Sequence, residues 1–175
     1  MSKINKKTNN KQNKYTIYIA AVLVMVVMVL GYKFIIPQSG SIDQADAAVK
    51  GTVENGGLKI DKKDITEQAK FFSYNADGTY MEVLAVKASD GTIRTALNTC
   101  QVCYDSGRGY YKQEGDTVVC QNCGNVFGID DIEVVKGGCN PVPIFEDSKT
   151  VDGESITIAA EFLNSNKEYF TRWKR

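Results

Sequence analysis

Cys100-Gln101-Val102-Cys103 and, sixteen residues on, Cys120-Gln121-Asn122-Cys123 are the stretch on which the reading of this chain turns. Two C-x-x-C knuckles at this separation are the pattern of a tetrathiolate metal site, zinc-ribbon-like in outline. Each tight turn points two sulfurs at one ion. The intervening chain then has to fold back so that the knuckles meet. Gly109–Gln113 and Thr117–Cys120 can do this as a hairpin around Glu114-Gly115-Asp116. Gly124 follows the second knuckle and permits a sharp turn, and backbone N–H groups there can donate to the thiolates. Thiolate sulfur suits zinc, mononuclear iron or an iron–sulfur cluster, and spacing alone does not choose among them. Zinc is the default for such a ribbon. A thioredoxin-like redox pair would need a βαβ setting that the residues after Cys103 and Cys123 do not offer. Structural disulfides are the remaining rival, and metal spacing speaks against them.

A fifth cysteine, Cys139, sits in Lys136-Gly137-Gly138-Cys139-Asn140-Pro141-Val142-Pro143. The glycines allow close backbone approach and the prolines fix the exit. Cys139 is therefore a candidate fifth or alternative ligand, or a reactive thiol; the plain alternative is a tight turn with an incidental cysteine. If it serves the site, its sulfur should lie within roughly 8 Å of a knuckle sulfur, about twice the reach of a thiolate–metal–thiolate bridge. Tyr104, Tyr110, Tyr111 and Phe127 are expected to form a small core shielding the site. Asp130, Asp131 and Glu133 are expected on a solvated face.

Outward from the cysteines the pattern is mostly β. Leu58-Lys59-Ile60 is strand-like and Lys62–Ala69 a short irregular or helical turn. Lys70–Tyr74 and Thr79–Lys87, rich in aromatic and β-branched residues and split by Asn75-Ala76-Asp77-Gly78, form a hairpin. After Ser89-Asp90-Gly91, Thr92–Leu97 returns as a third strand. Near the end, Ile156-Thr157-Ile158, Leu163 and Tyr169-Phe170 match Leu58-Lys59-Ile60, Ile65 and Phe71-Phe72 at a constant offset of 98, which suggests a second strand–turn–strand unit.

The N-terminus differs in kind. Residues 1–36 hold six lysines and no acid, so the rest of a formally neutral chain of 175 residues carries an excess of six acidic charges. An acidic body repels nucleic acid, which is not expected as a partner. From Tyr15 to Tyr32 no residue is charged; residues 15–36 as a helix would span about 33 Å, enough for a hydrocarbon core. Five lysines precede it, so the positive-inside rule keeps residues 1–14 cytoplasmic and puts the body outside. Phe34-Ile35-Ile36-Pro37 is a poor cleavage region, so an uncleaved anchor is expected rather than a signal peptide. Residues 37–50 read as a polar stalk and 51–175 as the extracytoplasmic domain, with 95–144 its cysteine-rich core. The expected fold class is α+β, mostly β, behind one transmembrane helix. The chain has no histidine, which excludes Ser-His-Asp and Cys-His catalysis and His-ligated zinc. No hydrolase or transferase constellation stands out, so an electron-transfer or metal-binding role is expected over a stand-alone enzyme.

Thr95-Ala96-Leu97-Asn98-Thr99-Cys100-Gln101-Val102-Cys103, Gly109-Tyr110-Tyr111-Lys112-Gln113-Glu114-Gly115-Asp116, Val119-Cys120-Gln121-Asn122-Cys123-Gly124 and Gly137-Gly138-Cys139-Asn140-Pro141 together resemble the FtrD-like membrane iron–sulfur proteins. The resemblance covers most of residues 50–170. It implies a membrane location, an iron–sulfur cluster or mononuclear iron, and association with ferrous-iron uptake through an iron permease, the domain accepting or relaying electrons. Carried over by position, Cys100, Cys103, Cys120, Cys123 and Cys139 would be the metal-site residues. A different class of role stays open: a structural zinc-ribbon module that docks a membrane transporter partner. A thiol–disulfide enzyme is a third.

Overall fold

The computed structural model describes residues 47–175 and, upstream, Tyr18, Ile19, Val22, Leu23 and Met25. Those five are helical and exposed. They fall inside the expected span, whose remaining residues, like the basic tail and most of the stalk, lie outside the described residues. Among the described residues no helix is long and apolar enough to cross a membrane. Residues 1–42 and 43–175 form two separate units.

In the second unit the chain runs β1 (Val49–Lys50), β2 (Thr52–Glu54), β3 (Gly57–Asp61), β4 (Lys70–Ala76), β5 (Thr79–Lys87), β6 (Ile93–Cys100), β7 (Tyr111–Glu114), β8 (Thr117–Cys120), β9 (Val126–Gly128), β10 (Pro141–Pro143), β11 (Lys149–Val151), β12 (Ser155–Ile158) and a short helix α1 (Ala160–Ser165). A central sheet has the order β1-β4-β5-β6-β10, a second β11-β12-β3-β2 and a third β7-β8-β9. The domain is thus mostly β, as expected.

The centre of the fold follows from β5. Successive side chains of a strand face opposite ways, and here both sets are buried. Met81, Val83 and Ala85 enter one apolar cluster, Leu84 and Val86 another. A strand apolar on both faces needs cover on both. The first face packs with Leu58 and Ile60 of β3, Ile156 and Ile158 of β12, Leu163 of α1 and the C-terminal Phe170 and Trp173. The second packs with Tyr111, Val118 and Phe127 of the third sheet and with Cys100, Cys103 and Cys120. Period two along β6 therefore puts Leu97 on the first face, and Ala96 and Cys100 on the second.

The turn between β4 and β5 is the two-residue loop Asp77-Gly78, closing the pair Ala76–Thr79. Both loop residues have positive φ, 50° and 88°. This is the hairpin geometry whose twist matches the strands and which Asp-Gly favours. Asn75 Oδ1 accepts the Gly78 N–H at 2.7 Å.

The repeated apolar spacing is half a structural repeat. Its first members, β3 and β12, are antiparallel neighbours with Ile156 opposite Ile60 and Ile158 opposite Leu58. Its second members differ. Phe71-Phe72 lie in β4, whereas Tyr169-Phe170 lie in a 3-10 turn, Lys167–Phe170, after α1. The expected second strand–turn–strand unit is therefore replaced by helix. Phe162, Leu163 and Phe170 recur at helical rather than alternating spacing, and Leu163 and Phe170 are the buried ones.

Candidate metal centre

Three strand ends bring the cysteines together. Cys100 ends β6 and opens the first knuckle, whose turn is marked by the Cys103 N–H donating to Cys100 Sγ at 3.4 Å. The β7–β8 hairpin turns at Glu114-Gly115-Asp116, where Gly115 has φ 63°, and pairs Tyr111 with Cys120. The second knuckle follows, closed by the Gly124 N–H on the Cys120 carbonyl at 2.9 Å; Gly124 has φ 73°, a conformation in which a side chain is strained. Cys139 arrives by a separate route. β10 runs beside β6 with Pro141 opposite Cys100, so the residues just before β10 are delivered to the first knuckle. A proline-bearing strand belongs at a sheet edge, which is where β10 lies.

The five sulfurs fall into two groups of three. Those of Cys100, Cys103 and Cys139 all lie within 4.8 Å of one another, and so do those of Cys103, Cys120 and Cys123. All five are free thiols; Cys100, Cys103 and Cys120 are buried, Cys139 is half-buried and Cys123 exposed. Cys139 thus lies well inside the distance expected of it. Five sulfur donors with no imidazole or carboxylate among them are the soft set suited to iron–sulfur, iron or zinc, and unsuited to magnesium or calcium.

A model of the family described as "Membrane iron-sulfur containing protein FtrD-like" matches residues 63–170, more than half the chain and inclusive of every cysteine. The chain belongs to this FtrD-like family. No curated protein and no solved structure matches significantly.

In this FtrD-like chain the thiols are not equivalent. Burial pushes the Cys100 thiol up, but the Tyr111 hydroxyl and the backbone N–H groups of Cys103 and Val102 together outweigh it and leave it lowered. Cys123 is lowered chiefly by the Asn125 backbone N–H. Burial raises Cys103, and pushes Cys120 up to about 12. Cys139 is also pushed up to about 12, first by its hydrogen bond with Cys123 and then by burial and the charge of Cys100. One acidic thiol therefore sits in each group of three, beside more basic partners.

Tyr111 is expected beside the cysteines; the supporting roles of Asn125 and Gly109 are not. The Tyr111 hydroxyl donates to the Cys139 carbonyl at 2.7 Å, and Asn125 Nδ2 donates to the same oxygen at 2.9 Å. Together they hold the Gly-Gly-Cys loop by its backbone. Gly109 backs the first knuckle: a Cβ there would come 2.7 Å from the Cys103 carbonyl carbon and from Tyr104 Cα. Its N–H donates to the Trp173 carbonyl at 2.8 Å and its carbonyl accepts from Cys100 N–H at 2.7 Å, tying the C-terminus to the knuckle. Tyr111 was legible: counting back from the Gly115 turn places it opposite Cys120.

Two expectations are corrected. Only Tyr111 and Phe127 join the cysteine cluster. Tyr104 stacks edge-on with Tyr169 at 5.1 Å and Tyr110 with Trp173 at 6.1 Å, so these two pack toward the C-terminal segment. The acidic run is not simply a solvated face. Glu133 Oε1 accepts from Lys149 Nζ at 2.5 Å and from the Thr95 N–H at 2.6 Å, with the lysine and glutamate side chains 4% and 12% exposed. Asp130 accepts from Ser89 N–H at 2.8 Å and Oγ at 2.7 Å. Glu133 tethers the segment after the second knuckle to β6 of the central sheet, and Asp130 tethers it to the turn after β5.

Proposed function

We propose that this chain is a membrane-anchored, extracytoplasmic iron–sulfur or metal–thiolate protein that handles iron or electrons at the outer face of the membrane, in support of iron uptake through a permease or another transporter. Membership of a membrane iron–sulfur family supports this reading. The observation that carries it is the convergence of five free thiols from three separate strand ends. Cys100, Cys103, Cys120, Cys123 and Cys139 are the proposed ligands. When bound, iron in a sulfur environment supplies a one-electron redox couple, its potential set by charge, hydrogen bonds and solvent access. The chain's part is to keep three of the sulfurs dry, to leave Cys123 open to solvent, and to aim N–H and O–H donors at Cys100 and Cys123.

In this reading residues 1–14 are a cytoplasmic tail, 15–36 the anchor, 37–50 the linker and 51–175 the metal-binding domain. Its test is protease accessibility in intact cells. Cleavage of the domain from outside is expected; full protection would reverse the topology.

The function itself is tested on full-length protein purified without oxygen, by metal analysis and visible absorption together. Iron with thiolate-to-iron bands is expected. Stoichiometric zinc without colour would replace the redox reading by that of a structural module docking a transporter. Absence of any bound metal, with thiols that cycle to disulfides, would make the protein a thiol–disulfide enzyme.

A further inference from the structure

We propose that the five cysteines form a two-lobed site for two metal ions, with the Cys103 thiolate shared between the lobes. This deepens the metal–thiolate reading above and rests on it.

The argument begins with size. Sulfurs bound to one tetrahedral ion at the usual metal–sulfur distance of about 2.3 Å lie about 3.8 Å apart. Donors to one ion must therefore be mutual neighbours. A single site made by the two knuckles would draw Cys100, Cys103, Cys120 and Cys123 into one group and leave Cys139 outside. Two such groups are present instead, Cys100–Cys103–Cys139 and Cys103–Cys120–Cys123, each within 4.8 Å, and a Cys123–Cys139 hydrogen bond joins their outer members. Cys103 is the member common to both.

Chain topology supports the same division. Cys139 is delivered to Cys100 by the pairing of β10 with β6, a route through the chain separate from the turn that sets the second knuckle. Cys123 is joined to Cys120 by the knuckle turn itself. Cys103, at the far side of the first knuckle and 7% exposed, stands where the two lobes meet. A thiolate has lone pairs for two ions, so a shared sulfur completes both lobes.

Charge points the same way. Two divalent ions leave five thiolates with one excess negative charge, whereas one ion among four thiolates leaves two. Three of these sulfurs are buried, and uncompensated buried charge is costly. In the two-lobed site each ion has three protein sulfurs and one position left open, the condition for exchange or for binding a further ligand. The exposed Cys123 and half-buried Cys139 give each lobe an outward edge.

The experiment is an anaerobic titration of the full-length, reduced, metal-free protein with cobalt(II), read by absorption and by electron paramagnetic resonance. Two equivalents should bind with sulfur-to-cobalt charge-transfer bands. The high-spin signal should grow up to one equivalent and fall as the second ion couples to the first through the shared sulfur. Cys139→Ser and Cys123→Ser should each reduce binding from two equivalents to one and abolish the coupling, with circular dichroism checking that each variant is folded. One equivalent in the wild type, retained in Cys139→Ser, would overturn the two-lobed site and leave the metal–thiolate reading standing. Two equivalents without loss of signal would overturn the sharing of Cys103. No stoichiometric binding at all would overturn the underlying reading.

Discussion

The two faces of the central sheet are built from one set of strands and held by different chemistry. On the first face the core is Leu58, Ile60, Met81, Val83, Leu97, Ile156 and Ile158 closed over by Leu163, Phe170 and Trp173. Nothing in it needs a partner beyond another apolar surface. On the second face Leu84, Val86 and Ala96 meet a three-stranded sheet of only 4, 4 and 3 residues per strand, and three of the residues filling the gap are cysteines. A thiol packs as a small apolar group, but as a thiolate it is a buried charge. The first face can be stable by burial alone. In the proposed metal-bound state the second gains further stability from the ion that neutralises its thiolates. On the proposed function, one sheet thus carries a self-sufficient core and a metal-dependent one, back to back.

That difference is best broken by a matched pair of substitutions. Cys120→Ser should cost metal from the group to which Cys120 belongs and, because metal binding contributes folding free energy on the order of 10 kcal/mol in small zinc domains, should loosen β7–β9 while β3, β4, β5 and β12 keep their hydrogen-exchange protection. Leu97→Ala, at a position with 0% exposure, should cost about 2–5 kcal/mol of global stability, read from the denaturant midpoint, with metal content unchanged. If Cys120→Ser keeps stoichiometric metal, or lowers protection equally on both faces, the second face is not conditional on its sulfurs. If Leu97→Ala sheds metal before it lowers the unfolding midpoint, the two cores are not separable.

How much of this was legible follows the same division. β5 and β8 lie where aromatic and β-branched content and turn residues put them, and the Asp77-Gly78 turn is a local matter of two residues that tolerate positive φ. The knuckles are legible for the same reason, since a C-x-x-C turn is made within four residues. What was not legible depends on pairing between distant segments. β10 is too short and too rich in proline to read as a strand, and only its place beside β6 makes it one. Without that pairing nothing in the sequence says that Cys139 joins Cys100 and Cys103. The same applies to Glu133, which reads as one more acid on a polar loop until Lys149, sixteen residues on, closes over it. Tyr169-Phe170 misled in the opposite sense. Their spacing copies Phe71-Phe72, but the polar residues around them suit helical turns and leave no alternation for a strand.

The smallest effect concerns how the two faces are tied at their rim. Asp130, in the turn after β9, accepts hydrogen bonds from the Ser89 backbone N–H and hydroxyl in the turn after β5. These bonds, the backbone one first, hold its carboxyl below the ordinary 3.8. A carboxyl whose folded value is depressed contributes stability that is present above its unfolded value and is lost as pH falls through the folded one. The tether should therefore be unaffected from neutrality down to about pH 4 and weaken below it. Asp90 shares the turn, and its carboxyl is likewise depressed, chiefly by the Thr92 hydroxyl and N–H. Its loss should disturb residues 88–94 rather than the third sheet. The check is hydrogen exchange at amides 126–132 as pH is lowered. Asp130→Asn should begin at neutral pH with the faster exchange that the wild type reaches only in acid, and should show little further change in that segment. The effect should stay local, because Glu133 still holds the same loop to Thr95 and Lys149. Parallel curves for wild type and Asp130→Asn would mean that the Ser89 contact does not tie the sulfur-bearing face to the sheet.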